Sequence, residues 1–439
     1  MIKCDILVIG GGTAGCACAY IGAKYGLNVV LLEKSITLGG TMTSSLVIPV
    51  MKSVTSSINT EFYDDLIAEM KNLGGQFTYQ NNPGWFNPEL LKIALDKMLS
   101  SVGVKIIFNS EVINTKINSN LVCHAEIYNE LLSEYIEEKY ADNIITQKAN
   151  ILSEYIEAKY FVDATGNGNF CKKINCEFLD SEENFQPSSL RFIMDGVDVS
   201  KFAKFLLDTD SNREVTTVEY TSEQTHLSTA YTWDSNKHWA LAPFFDRAVT
   251  NNELKDEDRN YFQLFTIPAM PAAIAFNCPR LLKNLNKTTY FEYSSAIIEA
   301  RQAIYRLSNF CKKYLPGFEN AYISNIADAL GIRISNRVRG RYVYTKEDLV
   351  QGRKFKNPVL EANYPIDVHS DKKNSSILEN VRSYQLPIES LMSNDYDNVF
   401  MVGRNLSADF EAQAALRVQA SCFSMGEGVA KWILKSEGR

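Results

Sequence analysis

What this chain lacks narrows its function first. No apolar run reaches membrane-spanning length, and the nearest approach, Phe265 to Phe276, is short and interrupted by Pro268 and Pro271. Basic residues are not in excess: 45 Lys and Arg stand against 52 Asp and Glu, a formal net charge of −7. That balance argues against a nucleic-acid partner. The nine cysteines form no CxxC and no metal-ligand spacing, so no metal site is expected and buried thiols in a reducing cytosol are. The first strand-like run starts almost at Met1, so neither a signal nor a transit peptide is expected, and the location implied is cytoplasmic.

What is present begins at the N-terminus. Ile6 to Ile9 is a short continuous apolar run that meets Gly10-Gly11-Gly12-Thr13-Ala14-Gly15. A helix of small residues follows, then Gly26, then the apolar run Val29 to Leu32 and Glu33. That is strand, GxGxxG turn, helix, strand and acidic residue in the order of a dinucleotide-binding unit. Gly10 permits the tight turn, Gly12 lets backbone approach a pyrophosphate, and Gly15 lets the helix pack on the strand. The helix N-terminus offers unpaired N–H groups to phosphates. Glu33 favours a free ribose hydroxyl, hence the adenosine of FAD or NAD rather than NADP. The plainer alternative is a glycine-rich turn that binds nothing; the complete context disfavours it.

Further along, Leu38-Gly39-Gly40-Thr41 is a loop that lets backbone pass close to something bulky. Helices are expected over residues 60–72, with Phe62, Leu66, Ile67 and Met70 at helical spacing, and from Asn87-Pro88 to about Ser100. Leu132 to Tyr140 recurs as Leu152 to Tyr160, eight of nine positions matching at a spacing of twenty. It reads as a duplicated hairpin of a surface β-meander. The second copy runs into Asp163-Ala164-Thr165-Gly166, a strand ending in a glycine turn. Between about Cys176 and Ile323 the βαβ rhythm stops, and a helix from Ser294 to Tyr314 closes that region. Asn398 to Arg404 is a buried strand meeting Gly403, followed by one helix from about Ala412 to Leu434.

Gly10 to Gly15 with Glu33, the Gly39-Gly40 loop, Asp163 to Gly166 and Gly403-Arg404 together resemble FAD-dependent oxidoreductases of the glutathione-reductase fold class. Pro316 to Ala321, Gly331-Ile332-Arg333, Ser335, Arg337, Leu386-Pro387-Ile388 and Ala415-Leu416-Arg417 resemble more closely a bacterial FAD-dependent oxidoreductase family, over nearly the whole chain. That family usually has Glu before the serine and Arg after it. Ile334 and Asn336 stand here; if those polar groups contact substrate in relatives, a different substrate is implied.

The resemblance implies an α/β fold: a Rossmann-like FAD-binding domain with a parallel central sheet and β-meander, plus an inserted mixed α+β substrate-binding domain. The boundaries expected are 1–175 and 326–439 for the FAD-binding parts, the duplication lying at about 131–160, and 176–325 for the substrate domain. It implies non-covalent FAD held by Gly10, Gly12, Thr13, Ala14 and Gly15 at the pyrophosphate and Glu33 and Lys34 at the ribose. Val112 would meet adenine. Gly39, Gly40 and Thr41 would pass under the ribityl and flavin, and Ala164 and Gly166 would also touch the cofactor. Gly403 with Arg404 would close over the ribityl-phosphate, Arg404 or Asn405 replacing the aspartate common after that glycine. Ala415 and Leu416, at the last helix's N-terminus, would face the flavin pyrimidine.

No cysteine pair follows the double glycine, which excludes a thiol–disulfide reductase. No second GxGxxG follows, so no separate NAD(P)H domain is expected. The remaining scheme is direct hydride exchange between a small organic substrate, held by the second domain, and flavin N5. Arg333 and Arg337 are candidate anion clamps, with Arg337, Arg339 and Arg341 sharing one face if the segment is a strand. The alternative for each is a salt-bridged surface residue. Arg417 is the candidate nearest the flavin. His226 and His238 are candidate proton shuttles beside Tyr231 and Trp233. Two other functions remain open: non-redox FAD chemistry, as in RNA modification or isomerisation, and a flavin-binding module acting through partners.

Overall fold

The run at Ile6 belongs to a longer strand, β1 (Ile2–Ile9), followed by helix α1 (Thr13–Lys24) and strand β2 (Val29–Leu32). The computed structural model describes residues 2–129, 154–179, 185–210, 215–232, 239–281, 288–368, 376–378 and 381–439, and every count below refers to these. Helix α2 (Glu61–Asn72), the ribbon β3 (Gln76–Tyr79) and β4 (Asn82–Phe86), helix α3 (Pro88–Ser101) and β5 (Lys105–Ile107) come next. The Asn87 side chain caps α3, accepting from Glu89 N at 3.0 Å and Leu90 N at 3.2 Å. Strands β6 (Ser110–Asn118), β7 (Leu121–Asn129) and β8 (Glu154–Asp163) follow.

These strands, with β21 (Val399–Met401) from the far end of the chain, form a seven-stranded sheet ordered β5-β2-β1-β8-β7-β6. β5, β2, β1, β8 and β21 run parallel. β8 forks the sheet: residues 154–157 pair with β7 and residues 161–163 with β21. This corrects the surface reading of the duplication. The first copy, 132–140, lies outside the described residues. Residues 154–160 of the second lie in the middle of the sheet, with Ile156 fully buried and Tyr155 exposed, because β8 is flanked by β1 on one side and β7 or β21 on the other.

After the short helix α4 (Asn169–Lys173) the chain builds a second layer. It holds β9 (Ser188–Ser189), β10 (Phe192–Asp195), α5 (Val199–Thr209), β11 (Thr216–Tyr220), β12 (Thr225–Thr232) and α6 (Ala242–Thr250). β13 (Tyr261–Ile267), β14 (Met270–Phe276), β15 (Arg280–Leu281), α7 (Tyr290–Tyr314) and β16 (Tyr322–Ile326) complete it. Six of these strands form an antiparallel sheet ordered β11-β12-β13-β14-β10-β16. The apolar stretch at Phe265 is its central hairpin, turning at Pro268 and Ala269. No helix among the described residues is long and apolar enough to cross a membrane. Helix α7 starts four residues earlier than expected. Thr289 Oγ1 accepts from Glu292 N while the Glu292 carboxylate accepts from Thr289 N, a capping box.

The C-terminal part contributes α8 (Lys346–Gln351), β17 (Pro358–Ala362), β18 (Ile366–Val368), β19 (Ser376–Leu378) and β20 (Tyr384–Pro387) before β21. The expected single last helix is two: α9 (Phe410–Leu416) and α10 (Gln419–Ser436), separated where Val418 takes an extended conformation. Helix α10 crosses α1 at minimal separation. A Cβ on Gly426 would sit 2.0 Å from Ala14 O. Small residues on α1 make this crossing possible, and they leave that helix buried on nearly every side.

Candidate FAD and substrate site

The carboxyl ends of the parallel strands converge on the start of α1. Gly10 N donates to Leu32 O, Ala164 N to Ile9 O and Val402 N to Asp163 O, so the three turns lie side by side. Ligands of open parallel sheets bind at this edge, where strand order reverses. Gly10 has φ +107° and a Cβ there would meet Ala164 O at 2.6 Å. On Gly15 it would meet Gly10 O at 2.0 Å. Both glycines are therefore demanded by the protein's own packing. Gly12 is different. Its backbone is ordinary extended chain, φ −75° and ψ −173°, and the nearest atom to an added Cβ is Ala164 O at 3.9 Å. Nothing in the protein requires glycine at 12, whereas a group pressed against the backbone there does. Gly12 is also the N-cap of α1, and no side chain caps that helix. An uncapped helix start beside open space is an anion cradle, and it fits a dinucleotide pyrophosphate.

Surrounding loops frame the cradle. Gly39 N donates to Gly11 O at 2.8 Å, and a Cβ on Gly40 would lie 3.0 Å from Gly12 Cα. Thr41 O accepts from Val47 N, closing the loop that follows. Gly403, φ +90°, lies over the same helix start, its absent Cβ 3.7 Å from that of Ala14. Glu33 is buried, and its carboxylate already accepts from Gly11 N at 2.8 Å, Ser35 N at 2.9 Å and Ser35 Oγ at 2.9 Å. It staples the glycine loop to the end of β2 and keeps about one of its roughly four lone-pair positions for a ribose. Lys34 is exposed. Val112 is buried in β6, two residues beyond Ser110, whose N–H bonds Glu33 O.

Asp163 is fully buried and accepts from Thr165 N, Thr165 Oγ1 and Cys171 N, which shapes the turn through Ala164 and Gly166. Asn405 donates to Asp163 O at 3.1 Å, while its buried Oδ1 accepts nothing. Arg404 lies against Gly166 and donates to Ile332 O at 3.0 Å. Burial lowers its pKa. Ala415 and Leu416 are wholly buried at the C-terminal end of α9, so the expected helix N-terminus is not theirs. It belongs to Gln419, whose Nε2 donates to Val47 O at 2.9 Å, so that α10 starts against the Gly39–Val47 loop.

The predicted arginines separate. Residues 337–341 form no strand, only isolated bridges at Val338 and Gly340, so the shared strand face of Arg337, Arg339 and Arg341 is corrected. Arg339 pairs with Glu177 and Arg341 with Asp397, each at 2.7 Å on the surface. Arg337 is buried and donates to Ala408 O at 3.3 Å. Arg333 and Arg417 do come together, and with two arginines that sequence reasoning missed, Arg191 and Arg280. No spacing signals those two, since Arg191 lies between β9 and β10 and Arg280 in β15.

His226 is no shuttle in this geometry. It is buried and stacked on Phe77, ring centroids 3.4 Å apart, and burial lowers its pKa from 6.5 to about 4. His238 and Trp233 lie outside the described residues. The unfolded chain takes up a proton at His226 near pH 6.5 and the folded one near pH 4. Stability from this residue is thus complete above pH 6.5 and is lost as pH falls towards 4. Urea unfolding of the wild type and His226→Gln between pH 7 and 4.5 is expected to show a steeper loss in the wild type. All nine cysteines are free thiols. Two lie beside the arginines: Cys422, whose Sγ donates to Arg417 O and which burial pushes up to about 12, and Cys278, near Arg191 and Arg280, which burial also raises. A protonated thiol there is no nucleophile.

The model of the FAD dependent oxidoreductase family matches residues 5–433. The chain belongs to that family. Solved structures similar to this FAD-dependent oxidoreductase include a geranylgeranyl bacteriochlorophyll reductase-like protein from Thermoplasma acidophilum, at 14% identity and TM-score 0.46, covering 100% of this chain and 79% of that one. Another is p-nitrophenol 4-monooxygenase from Pseudomonas putida, at 10% identity and TM-score 0.48, covering 100% and 82%. A third is a myxobacterial chondrochloren halogenase, at 12% identity and TM-score 0.45, covering 100% and 76%. No curated protein matches the chain.

Proposed function

We propose that this FAD-dependent oxidoreductase exchanges a hydride directly between a small organic substrate and its flavin. The observation that carries the reading is the cradle at Gly12: an uncapped helix start, with open space where the protein itself needs no glycine. FAD bound non-covalently would place its pyrophosphate on Gly10, Gly12, Thr13, Ala14 and Gly15 and its ribose at Glu33 and Lys34, with adenine towards Val112. Gly39, Gly40, Thr41, Ala164, Gly166, Gly403 and Arg404 would line the path towards the second layer. We assign residues 1–175 and 326–439 to FAD binding and 176–325 to substrate binding. FAD, when bound, supplies the hydride acceptor or donor.

The chain's own residues orient and polarise. The start of α10, with no side-chain cap, presents N–H groups that favour negative charge on a reduced ring. Asn405 Oδ1 is a buried acceptor left for a hydroxyl donor, taking the part expected of an aspartate. The raised pKa of Cys422 removes a competing thiol route. Purified protein is expected to be yellow, absorbing near ~375 and ~450 nm, and to release intact FAD on denaturation. Anaerobic mixing with a panel of small metabolites is expected to bleach the ~450 nm band with at least one of them. A chain that binds FAD whose flavin no organic reductant or oxidant cycles contradicts direct hydride exchange.

A further inference from the structure

Four arginines from distant parts of the chain converge on one segment, Gln186 to Arg191. Arg417 Nη2 donates to Gln186 Oε1 at 3.2 Å and to Asp367 O at 3.3 Å. Arg333 Nη1 donates to Pro187 O and to Ser189 Oγ, the latter at 3.0 Å. Arg280 pairs with Ser189 across β9 and β15, and its guanidinium lies 3.7 Å over the Tyr261 ring. Arg191 Nη1 donates to Leu46 O at 3.2 Å, in the loop that leads from Gly39 to the second layer. Arg191 and Arg333 are more than nine-tenths buried.

The hydrogen-bond acceptors that face Arg191 and Arg333 are neutral and do not offset charge. Asp367 Oδ2, 3.6 Å from Arg417, is the carboxylate paired with the cluster among the described residues. Burial and then the mutual repulsion of Arg280, Arg417 and Arg191 pull Arg333 down to about 9. Burial pulls Arg191 down to about 10. Arg191 and Arg333 thus stay charged at neutral pH. Arg191 Nε and Arg417 Nε are buried donors without a partner. Packed cations left uncompensated are strongly unfavourable, and a planar fork with a free Nε is suited to a carboxylate.

We propose that Arg191, Arg280, Arg333 and Arg417 bind a small organic dianion, a dicarboxylate, as the substrate of this enzyme. The inference rests on the hydride-exchange reading and deepens it by naming the substrate class. A dianion set against Arg191, Arg333 and Arg417, with Asp367 already beside Arg417, brings their charges into balance. The arginine forks fix its orientation, and the cluster's place beside Leu46 and Arg417 keeps it next to the proposed flavin path.

The test uses the FAD-loaded protein and reads binding, not turnover. Malonate, succinate and glutarate are titrated against the flavin absorption spectrum and the thermal unfolding midpoint, with succinamide and acetate as controls and phenyl phosphate as the other dianion. At least one dicarboxylate is expected to give saturable shifts, at least about tenfold tighter than acetate, and succinamide none. Arg191→Gln and Arg333→Gln are each expected to weaken it about tenfold or more while retaining FAD. Arg333→Lys, which keeps the charge and loses the fork, is expected to fall between. Should the variants fail to hold FAD, the wild-type contrast between dicarboxylate and diamide decides alone. Shifts with phenyl phosphate only would overturn the dicarboxylate assignment, and equal response to succinamide would overturn the anion site. Failure here is separable from failure of the parent reading. A flavin reduced by neutral substrates in a protein indifferent to dianions sinks this inference alone. Dianion binding with a flavin that nothing reduces sinks hydride exchange alone.

Discussion

Gly12→Val is expected to yield a folded, soluble and colourless protein. The backbone at 12 is extended, which a β-branched residue adopts readily, and an added Cβ finds its nearest neighbour at 3.9 Å. The fold therefore loses little. The side chain instead fills the space against the first N–H groups of α1, where a pyrophosphate would lie. FAD retention is expected to drop by at least about a hundredfold, roughly 2.7 kcal/mol or more of binding free energy. Gly12→Ala should show the same effect in smaller measure. The check is the ratio of flavin absorbance to protein after purification, alongside far-UV circular dichroism. A Gly12→Val protein that carries FAD like the wild type would remove the pyrophosphate from this position.

Gly15→Val is expected to fail in the opposite way, by losing the fold. Its Cβ would stand 2.0 Å from the Gly10 carbonyl and 3.0 Å from the Ala164 Cβ. Both neighbours belong to turns locked by ladder bonds between β1, β2 and β8, so neither can yield alone. Overpacking of a tight core costs about 1–3 kcal/mol where side chains can adjust, and a backbone contact exceeds that. Soluble yield is expected to collapse, with any recovered protein unfolding at markedly lower urea. Saturating FAD would not rescue it, because the cofactor binds the folded chain only. Three residues apart in one motif, the two glycines thus separate binding from folding. A common outcome for both variants would show that one constraint governs them.

The contrast explains why the motif could be read so far and no further. Alternation of apolar runs with Gly, Asn-Pro and Asp boundaries is local, and it set β1, α1, β2 and α3 to within a few residues. Burial of the second duplicated copy was not legible. Whether a strand such as Glu154–Asp163 lies on a surface or between β1 and β21 depends on partners 154 residues before it (Ile2↔Ile156) and 238 after it (Phe161↔Val399). The break at Val418 carries no Gly or Pro signal. There Arg417 reaches Gln186 and Asp367, contacts made only in the assembled fold.

Sequence by itself determined a dinucleotide-binding edge, FAD as its cofactor through family resemblance, and the absence of a redox cysteine pair after Gly40. Each rests on residues adjacent in the chain, where backbone geometry and side-chain chemistry are coupled directly. Tertiary structure alone decided which arginines meet. Arg191, Arg280, Arg333 and Arg417 come from four separate segments and have no common spacing. They become one site because the fold brings them against Leu46 and the Gln186–Ser189 segment and buries their charges together. Arg339 and Arg341, close to Arg333 in sequence, end in solvent beside Glu177 and Asp397. The physical reason is that electrostatic coupling depends on distance and burial in space, and chain order constrains neither.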